Sequence, residues 1–255
     1  MSHEFKLLVV DDNEMMAKTL KDIFLAEGYD TKTAFSGTSA LDMLEEDHYD
    51  CVMSDIKMPV MDGFELCKSI KSIHPEIHVV LMTAYAAESL NRHAQAQGAL
   101  ATLMKPIGIK SVLDFFSALR KKRSIIIIDD DVQFCKTTGD ILELNNYTVT
   151  QISDPQRVMQ GFETDADVML LDLKLNGITG LDALKKIRTR YPHLPVIIVT
   201  GYREGMAALV EETVEASAYT CLDKPLRMDE LFAILDEFQR FELERILLQS
   251  AETRS

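Results

Sequence analysis

Short apolar runs alternate with amphipathic stretches along the chain. In the first half the apolar runs lie near residues 5–10, 30–34, 50–54, 77–82 and 100–104. Runs such as CVMS and HVVLM are almost continuously apolar, as expected of parallel strands that helices cover on both faces. The stretch between the first two runs has helical periodicity and ends at Gly28, a residue type that favours helix C-termini. This pattern predicts alternating strands and helices.

The second half repeats the same order of elements. Its apolar runs are IIIID, YTVTQ, DVMLL, PVIIV and YTCLD. Five βα units in each half predict a doubly wound α/β fold with a parallel sheet, made twice. We therefore predict one domain over residues 1–122, a second over 124–240, and a helical extension or tail over 241–255.

Polar residues recur at the ends of the predicted strands, in the same order in both halves. The first set is Asp11-Asp12, Asp55, Thr83 and Lys105-Pro106, and the second set is Asp129-Asp130, Asp172, Thr200 and Lys224-Pro225. The offsets between the two sets are 118, 117, 117 and 119 residues. This period is too long for a solenoid and fits two copies of one domain, here called the first copy (1–122) and the second copy (124–240).

These recurring residues predict one site in each copy. The carboxyl ends of parallel strands meet at one edge of a sheet, so the polar residues are expected to share a cleft. Three carboxylates cannot remain ionised together without a counter-charge, and oxygen ligands without His or Cys select Mg²⁺. One carboxylate can then attack phosphorus, while a lysine and a hydroxyl stabilise the phosphoryl oxygens. The sequence therefore predicts a Mg²⁺-dependent, phosphoryl-accepting site.

Both copies resemble the receiver domains of two-component response regulators. The resemblance rests on the ordered set D-D, D-I-K-M-P-x-M-D-G, M-T-A-Y and K-P, and it covers nearly the whole chain. It implies two flavodoxin-like (βα)5 domains in tandem. The first copy, with VVLMTAY and GALATLMKP, is most similar to sporulation-type phosphorelay receivers.

The resemblance implies a role for each recurring residue. The implied phosphoacceptors are Asp55 and Asp172. The implied Mg²⁺ ligands are these two residues, Asp12 and Asp130 directly, Asp11 and Asp129 through water, and the backbone carbonyls of Lys57 and Lys174. The implied phosphoryl-binding residues are Thr83, Lys105, Thr200 and Lys224. The two Lys–Pro peptide bonds are implied to be cis.

The chain also departs from the family pattern. Receivers often carry Tyr or Phe three residues before the lysine as a rotamer switch, whereas these switch positions hold Thr102 and Cys221. This argues against the usual aromatic readout in both copies. In the second copy, Asn176 stands where the first has Pro59, and Thr179 stands where the first has Asp62.

The resemblance implies a phosphoacceptor signalling protein with two receivers and no output domain. A sensor histidine kinase would phosphorylate it, and it would bind a downstream target protein or pass the phosphoryl group to a histidine phosphotransfer protein. No enzymatic activity beyond its own phosphotransfer and dephosphorylation is implied. Two alternatives stay open: the regulatory part of a longer response regulator or enzyme, and a Mg²⁺-dependent phosphatase acting on small molecules.

The amino-acid composition limits the classes of partner and the cellular compartment that we expect for the protein. The chain carries 41 acidic and 27 basic residues, a net charge of −14. Binding of nucleic acid needs basic side chains to neutralise phosphates, so neither nucleic acid nor an anionic membrane surface is an expected partner. No apolar run approaches the roughly 18 residues of a membrane span. The four cysteines form no Cys-x-x-Cys motif, which favours a reduced, cytoplasmic setting.

Apolar residues continue past the predicted end of the second copy. They are Phe241, Leu243, Ile246, Leu247 and Leu248. An apolar continuation with no domain after it indicates a contact in a homodimer or a severed linker. A frayed tail is the other interpretation.

Overall fold

The structure is a computed structural model that describes residues 5–85, 88–201 and 219–252. Contacts divide the chain into one unit of residues 1–120 and 237–255 and a second unit of residues 121–236. The first unit carries the first copy and the second unit carries most of the second copy. The predicted boundaries at residues 122, 124 and 240 stay predictions, but the C-terminal segment groups with the first copy.

The first copy is a five-stranded parallel sheet with helices on both faces. Its strands are β1 (Lys6–Val10), β2 (Asp30–Ala34), β3 (Cys51–Asp55), β4 (His78–Thr83) and β5 (Ala101–Met104). Its helices are α1 (Glu14–Ala26), α2 (Gly37–Glu46), α3 (Gly63–Ile73), α4 (Glu88–Ala96) and α5 (Ile109–Arg120). The strand order is β2-β1-β3-β4-β5, and every neighbouring pair is parallel. The predicted doubly wound fold is confirmed.

Two apolar clusters, one on each face, hold this sheet. Phe24 of α1 and Phe115 and Phe116 of α5 pack in one cluster. Leu66 and Ile70 of α3 pack in the other. Successive strand residues point to opposite faces, so a strand buried on both faces must be apolar throughout, as residues 7–10 are.

The second copy has the same architecture. Its strands are β6 (Ser124–Ile128), β7 (Thr148–Ile152), β8 (Val168–Asp172), β11 (Val196–Thr200) and β12 (Thr220–Asp223), in the parallel order β7-β6-β8-β11-β12. A short antiparallel pair, β9 (Lys174–Leu175) and β10 (Ile178–Thr179), follows β8. The helices described in this copy are α6 (Val132–Leu144), α7 (Pro155–Gln160), α8 (Gly180–Arg190) and α9 (Met228–Glu252). None of the helices described in either copy has the length and apolar character needed to cross a bilayer.

The C-terminal extension is part of the first unit. Leu243 is 2% exposed and lies in the cluster that contains Phe115 and Phe116. Ile246 and Leu247 pack against the same cluster. The interpretation as a frayed tail is wrong, because residues 241–252 continue helix α9. Leu243, Ile246 and Leu247 therefore pack within the chain and do not by themselves indicate a homodimer. Phe241 is exposed, and the side chain of Leu248 lies outside the described part of the structure.

Candidate functional site

In the first copy, four strand ends bring the predicted residues to one edge of the sheet. Asp11 follows β1, Asp55 ends β3, Thr83 ends β4 and Lys105 follows β5. Strand order reverses between β1 and β3, whose onward connections lie on opposite faces, and this opens a cleft beyond their carboxyl ends. Residues up to 94 positions apart in sequence therefore become neighbours.

Asp11 and Asp12 differ in their surroundings although they are adjacent. Asp11 is 1% exposed, its backbone N–H donates to the carbonyl of Ala34 at 3.3 Å, and its Oδ1 accepts from the N–H of Asn13 at 2.9 Å. Asn13 caps α1 and thereby fixes the turn that follows β1. Asp12 is exposed at the mouth of the cleft. One aspartate is thus built into the fold, and the other faces solvent.

The three carboxylates of the first copy form a compact cluster. Asp11, Asp12 and Asp55 each offer a carboxylate oxygen, and these oxygens all lie within 4.8 Å of one another. Lys105 Nζ lies 2.8 Å from Asp11 Oδ2 and 3.0 Å from Asp55 Oδ1. The single lysine bridges two of the three carboxylates and leaves a surplus of negative charge.

Burial and neighbouring charges shift the pKa values of Asp55 and Lys105 in opposite directions. Burial raises the pKa of Asp55 above its usual range, although the hydrogen bond and charge of Lys105 act to lower it. Burial is also the largest influence on Lys105 and lowers its pKa, but the hydrogen bonds and charges of Asp11 and Asp55 together raise it overall. The lysine therefore stays protonated, while ionisation of Asp55 costs free energy that a further cation would offset.

Thr83 and Lys57 lie beside Tyr85. Thr83 is buried, and its Oγ1 accepts a hydrogen bond from the N–H of Tyr85 at 3.1 Å. Lys57 Nζ lies 4.2 Å from the centroid of the Tyr85 ring. Among the described residues no hydrogen bond joins Thr83 to Asp55, so the hydroxyl lies at the strand end without contacting that carboxylate.

The second copy repeats this cluster with its aspartates more deeply buried. Asp129, Asp130 and Asp172 bring carboxylate oxygens within 4.8 Å of one another. Lys224 Nζ lies 2.6 Å from Asp129 Oδ2 and 2.9 Å from Asp172 Oδ2. Burial raises the pKa of Asp129, with Lys224 opposing it. Like the first cluster, it therefore has more carboxylates than cations.

Two contacts and one buried hydroxyl without a described partner distinguish the second cluster from the first. Asp172 Oδ1 accepts from the N–H of Lys174 at 3.1 Å. The side-chain amide of Asn176 donates to Asp130 Oδ2. Thr200 is 1% exposed, and within the described part of the chain its Oγ1 has no hydrogen-bond partner. Thr200 ends β11, so this buried hydroxyl is available to an additional acceptor.

Two glycines next to Asp55 and Asp172 received no role from the sequence. A Cβ on Gly63 would lie 2.4 Å from the carbonyl oxygen of Asp55, and one on Gly180 would lie 2.6 Å from that of Asp172. Each glycine stands eight residues after its aspartate. The equal spacing in the two copies is a pattern from which the sequence could have identified both glycines.

The switch positions lie in the last strands. Thr102 pairs with Leu81 across β4 and β5, and Cys221 pairs with Ile198 across β11 and β12. Both side chains are half-buried. Both Lys–Pro bonds that follow these strands are cis, as expected.

The donor sets fit a hard divalent cation. Each cluster offers only carboxylate oxygens, which is the chemistry Mg²⁺ prefers. Each also has more negative than positive charge and an aspartate at its mouth. Asp12, Asp55, Asp130 and Asp172 would hold the ion, and its charge would offset the cost of ionising buried carboxylates.

Comparison with known proteins agrees with this geometry. The model of the response regulator receiver domain family matches residues 7–116 and 125–236. A response regulator receiver protein of Anaeromyxobacter sp. (strain Fw109-5) is 29% identical over 199 residues, which cover 78% of this chain and 84% of that protein. Sporulation initiation phosphotransferase F of Bacillus subtilis (strain 168) is 38% identical over 109 residues, 43% of this chain and 88% of that protein.

A solved structure of chemotaxis response regulator CheY4 from Vibrio cholerae is 27% identical, covers 45% of this chain and 98% of that chain, and has a TM-score of 0.43. The family matches span most of the sequence, one in each copy. They include both aspartate clusters and both bridging lysines. The chain therefore belongs to the response regulator receiver domain family.

Proposed function

We propose that this protein is a phosphoacceptor in two-component or phosphorelay signalling, with Asp55 and Asp172 as its acceptors. Membership of the receiver family supports a phosphoacceptor signalling role in general. The assignment of these two aspartates, of the donor and of the partners is our proposal.

One observation carries the proposal. In both copies a lysine bridges the aspartate after the first strand and the aspartate that ends the third strand, within a cluster of three carboxylates. An acceptor aspartate needs a cation to offset its charge and another to receive a phosphoryl oxygen. The lysine supplies one positive charge, and the surplus carboxylates provide ligands for Mg²⁺.

The proposed step is transfer from phosphohistidine. A carboxylate oxygen of Asp55 or Asp172 forms the new O–P bond as the P–N bond of the donor breaks, and the released imidazole takes a proton from solvent. Hydrolysis later returns the carboxylate and inorganic phosphate. Bound Mg²⁺ would neutralise charge on the phosphoryl oxygens.

The residues around each acceptor have separate tasks. Lys105 and Lys224 would release the acceptor carboxylate and form an ion pair with the phosphoryl group. The hydroxyls of Thr83 and Thr200 would donate to a phosphoryl oxygen. Thr83 would exchange its present contact with Tyr85 for this bond, whereas the buried hydroxyl of Thr200 has no described partner to give up.

The surroundings of the first cluster favour a protein donor. Met15, Val60, Tyr85 and Met104 are exposed apolar side chains. Each lies within five positions of a site residue along the chain. Exposed apolar side chains on the segments that carry the site would provide contacts for a protein partner. A sensor histidine kinase or a histidine phosphotransfer protein would bind there.

The output we propose is phosphorylation-dependent protein binding or onward phosphotransfer. The similarity to a protein named sporulation initiation phosphotransferase F supports onward transfer to a histidine. Phosphorylation would shift a pre-existing equilibrium at the β4–β5 side, where Thr83 and Lys105 meet through the 2.6 Å hydrogen bond from the Lys105 N–H to the Thr83 carbonyl.

The test is intact mass of the full chain after incubation with Mg²⁺ and acetyl phosphate. Wild type, Asp55→Ala and Asp172→Ala are compared, with chelator as control. We expect two added phosphoryl groups of about 80 Da in wild type, a mass increment fixed by the aspartyl-phosphate chemistry, and the loss of one with each variant.

Each other result has a definite meaning. One group lost only with Asp55→Ala would remove Asp172 from the proposal. Labelling that survives both substitutions would refute both acceptors. Sustained release of phosphate from small esters, rather than labelling, would favour the small-molecule phosphatase.

A further inference from the structure

The two clusters differ at the fourth position after the acceptor. The first copy has Pro59 there, and the second has Asn176. The Asn176 amide Nδ2 donates a hydrogen bond to Asp130 Oδ2. Asp130 is the aspartate at the mouth of the second cluster.

In the first copy the equivalent carboxylate has no such donor. Within the described residues, nothing donates a hydrogen bond to the side chain of Asp12, and a proline side chain offers no donor. Asp12 is exposed, so water satisfies its oxygens. A cation that approaches Asp12 displaces only water.

The short hairpin after β8 holds Asn176 in place. Asn176 lies between β9 and β10, at the turn where Gly177 has a φ of +85°. The N–H of Lys174, which begins β9, donates to Asp172 Oδ1. The hairpin is thus tied to the acceptor at one end and to Asp130 at its tip.

We propose that Asn176 sets the metal affinity of the second copy by competing with Mg²⁺ for Asp130. The amide must leave Asp130 Oδ2, or share it, before that oxygen can bind a cation. The second copy therefore binds Mg²⁺ more weakly than the first, and its phosphorylation requires a higher Mg²⁺ concentration. This inference rests on the proposed function, because it takes both clusters as Mg²⁺ sites.

The size of the effect follows from the bond that is lost. Hydrogen bonds to charged groups are among the stronger ones in proteins, but Asn176 is exposed and water replaces part of that contribution. We expect the second copy to bind Mg²⁺ about fivefold more weakly because of Asn176, the ratio that corresponds to roughly 1 kcal/mol.

The experiment measures Mg²⁺ binding directly by isothermal titration calorimetry on the full chain. Asp12→Asn silences the first cluster, so that the second can be titrated alone, and Asp130→Asn does the reverse. In the Asp12→Asn background, Asn176→Ala removes the amide without restricting the backbone, and we expect it to tighten Mg²⁺ binding about fivefold.

The chain offers a reciprocal test with a matched control. In the Asp130→Asn background, Pro59→Asn adds the amide to the first copy and is expected to weaken its Mg²⁺ binding. Pro59→Ala changes the same position without adding a donor and is expected to leave affinity unchanged. Circular dichroism of each variant confirms that it is folded.

The outcomes separate this inference from the proposed function. If Asn176→Ala leaves affinity unchanged or weakens it, Asn176 is neutral or a ligand, and the inference is overturned while both sites stand. If Pro59→Ala weakens binding as much as Pro59→Asn, loss of proline and not the amide is the cause, which also overturns it. If neither cluster binds Mg²⁺ in wild type, the proposed function fails together with the inference.

Discussion

At the scale of single residues, each site is a balance between buried carboxylates and one lysine. Asp55 has a side chain that is 14% exposed, and Lys105 is close enough to form a charge-assisted hydrogen bond with it. Burial nevertheless prevails and raises the pKa of Asp55. Asp55 therefore lies in an environment that disfavours its own charge, and a bound cation would offset that cost.

Asp55→Asn should stabilise the first unit at pH 7 in the absence of Mg²⁺, by about 1 kcal/mol. The native pKa lies above the unfolded value, so the native state binds the proton more tightly. Stability is then lost as pH rises from the ordinary pKa of aspartate through the raised native pKa. We expect the difference between variant and wild type to shrink at pH 3.5, where the carboxyl is largely protonated.

Differential scanning calorimetry of the full chain at both pH values measures this effect. Asp42→Asn, an exposed position in α2 outside the site, is the control. Addition of Mg²⁺ should stabilise wild type more than Asp55→Asn. A variant that is less stable than wild type at pH 7 without Mg²⁺ would show that the Lys105 contact outweighs the cost of burial.

At the scale of elements, Asp55 and Asp172 are positioned by close packing of a strand against the start of a helix. The N–H of Gly63 donates to the carbonyl of Ile56 at 2.8 Å, and Gly180 repeats this bond to Leu173 at the same distance. The caps that begin these helices are chemically different, Asp62 in one and Thr179 in the other, yet both accept from a backbone N–H. The close approach is therefore kept although the loop sequence changes.

Gly63→Ala should destabilise the first unit by about 1–3 kcal/mol, because overpacking a close contact costs this much. A Cβ there would lie 2.4 Å from the Asp55 carbonyl oxygen and 2.8 Å from Ile56 Cα, both backbone atoms that cannot turn away. Urea denaturation of the full chain measures the loss.

Gly37→Ala is the matched control, because it also adds a methyl group at the start of a helix. The three atoms nearest to its Cβ would all belong to the flexible side chain of Met61, the nearest at 2.8 Å. We expect a smaller loss of stability there. If the two variants lose the same stability, the approach of the Gly63 backbone to β3 is not the cause.

At the scale of the whole molecule, the chain contains the same fold twice, and a C-terminal segment distant in sequence packs into the first unit. Leu243 lies more than 120 residues beyond the last strand of the first copy, yet it is buried in that copy's core. The Nε2 atom of Gln95 in α4 donates to Glu244 Oε1 at 3.1 Å. The C-terminal part of α9 is thus a structural part of the first unit.

Leu243→Asp should destabilise the first unit by about 3 kcal/mol, because it places an unpaired charge among apolar side chains. A chain with two units need not unfold in one step, so a single melting temperature is not sufficient. Hydrogen exchange resolved by peptide should lose protection in β1 and α5 and keep it in β6 and β8.

Phe241→Asp provides the comparison, since Phe241 is 65% exposed two positions earlier on the same helix. It should change protection little. Equal loss with both variants, or loss confined to the second unit, would contradict the packing of the extension on the first copy.

The sequence alone determined the repeat, the strands and the residues of both clusters. Continuous apolar runs read as buried parallel strands because each residue of such a strand faces one of two covering layers. Each polar residue follows an apolar run in the sequence, which places all of them at the carboxyl edge of a parallel sheet. The predicted strands 30–34 and 100–104 agree with β2 and β5 to within one residue for this reason.

Only the tertiary structure decided contacts between residues distant in sequence. No local pattern encodes the distances by which Lys105 bridges Asp11 and Asp55, Asn176 reaches Asp130 and Gly63 passes beside Asp55. The packing of Leu243 in the core of the first copy was not predicted. An apolar helical face indicates that the face is buried, but it does not indicate which surface buries it. Packing of the whole chain decides which surface covers a helix, whereas amphipathicity identifies only the face of the helix that is covered.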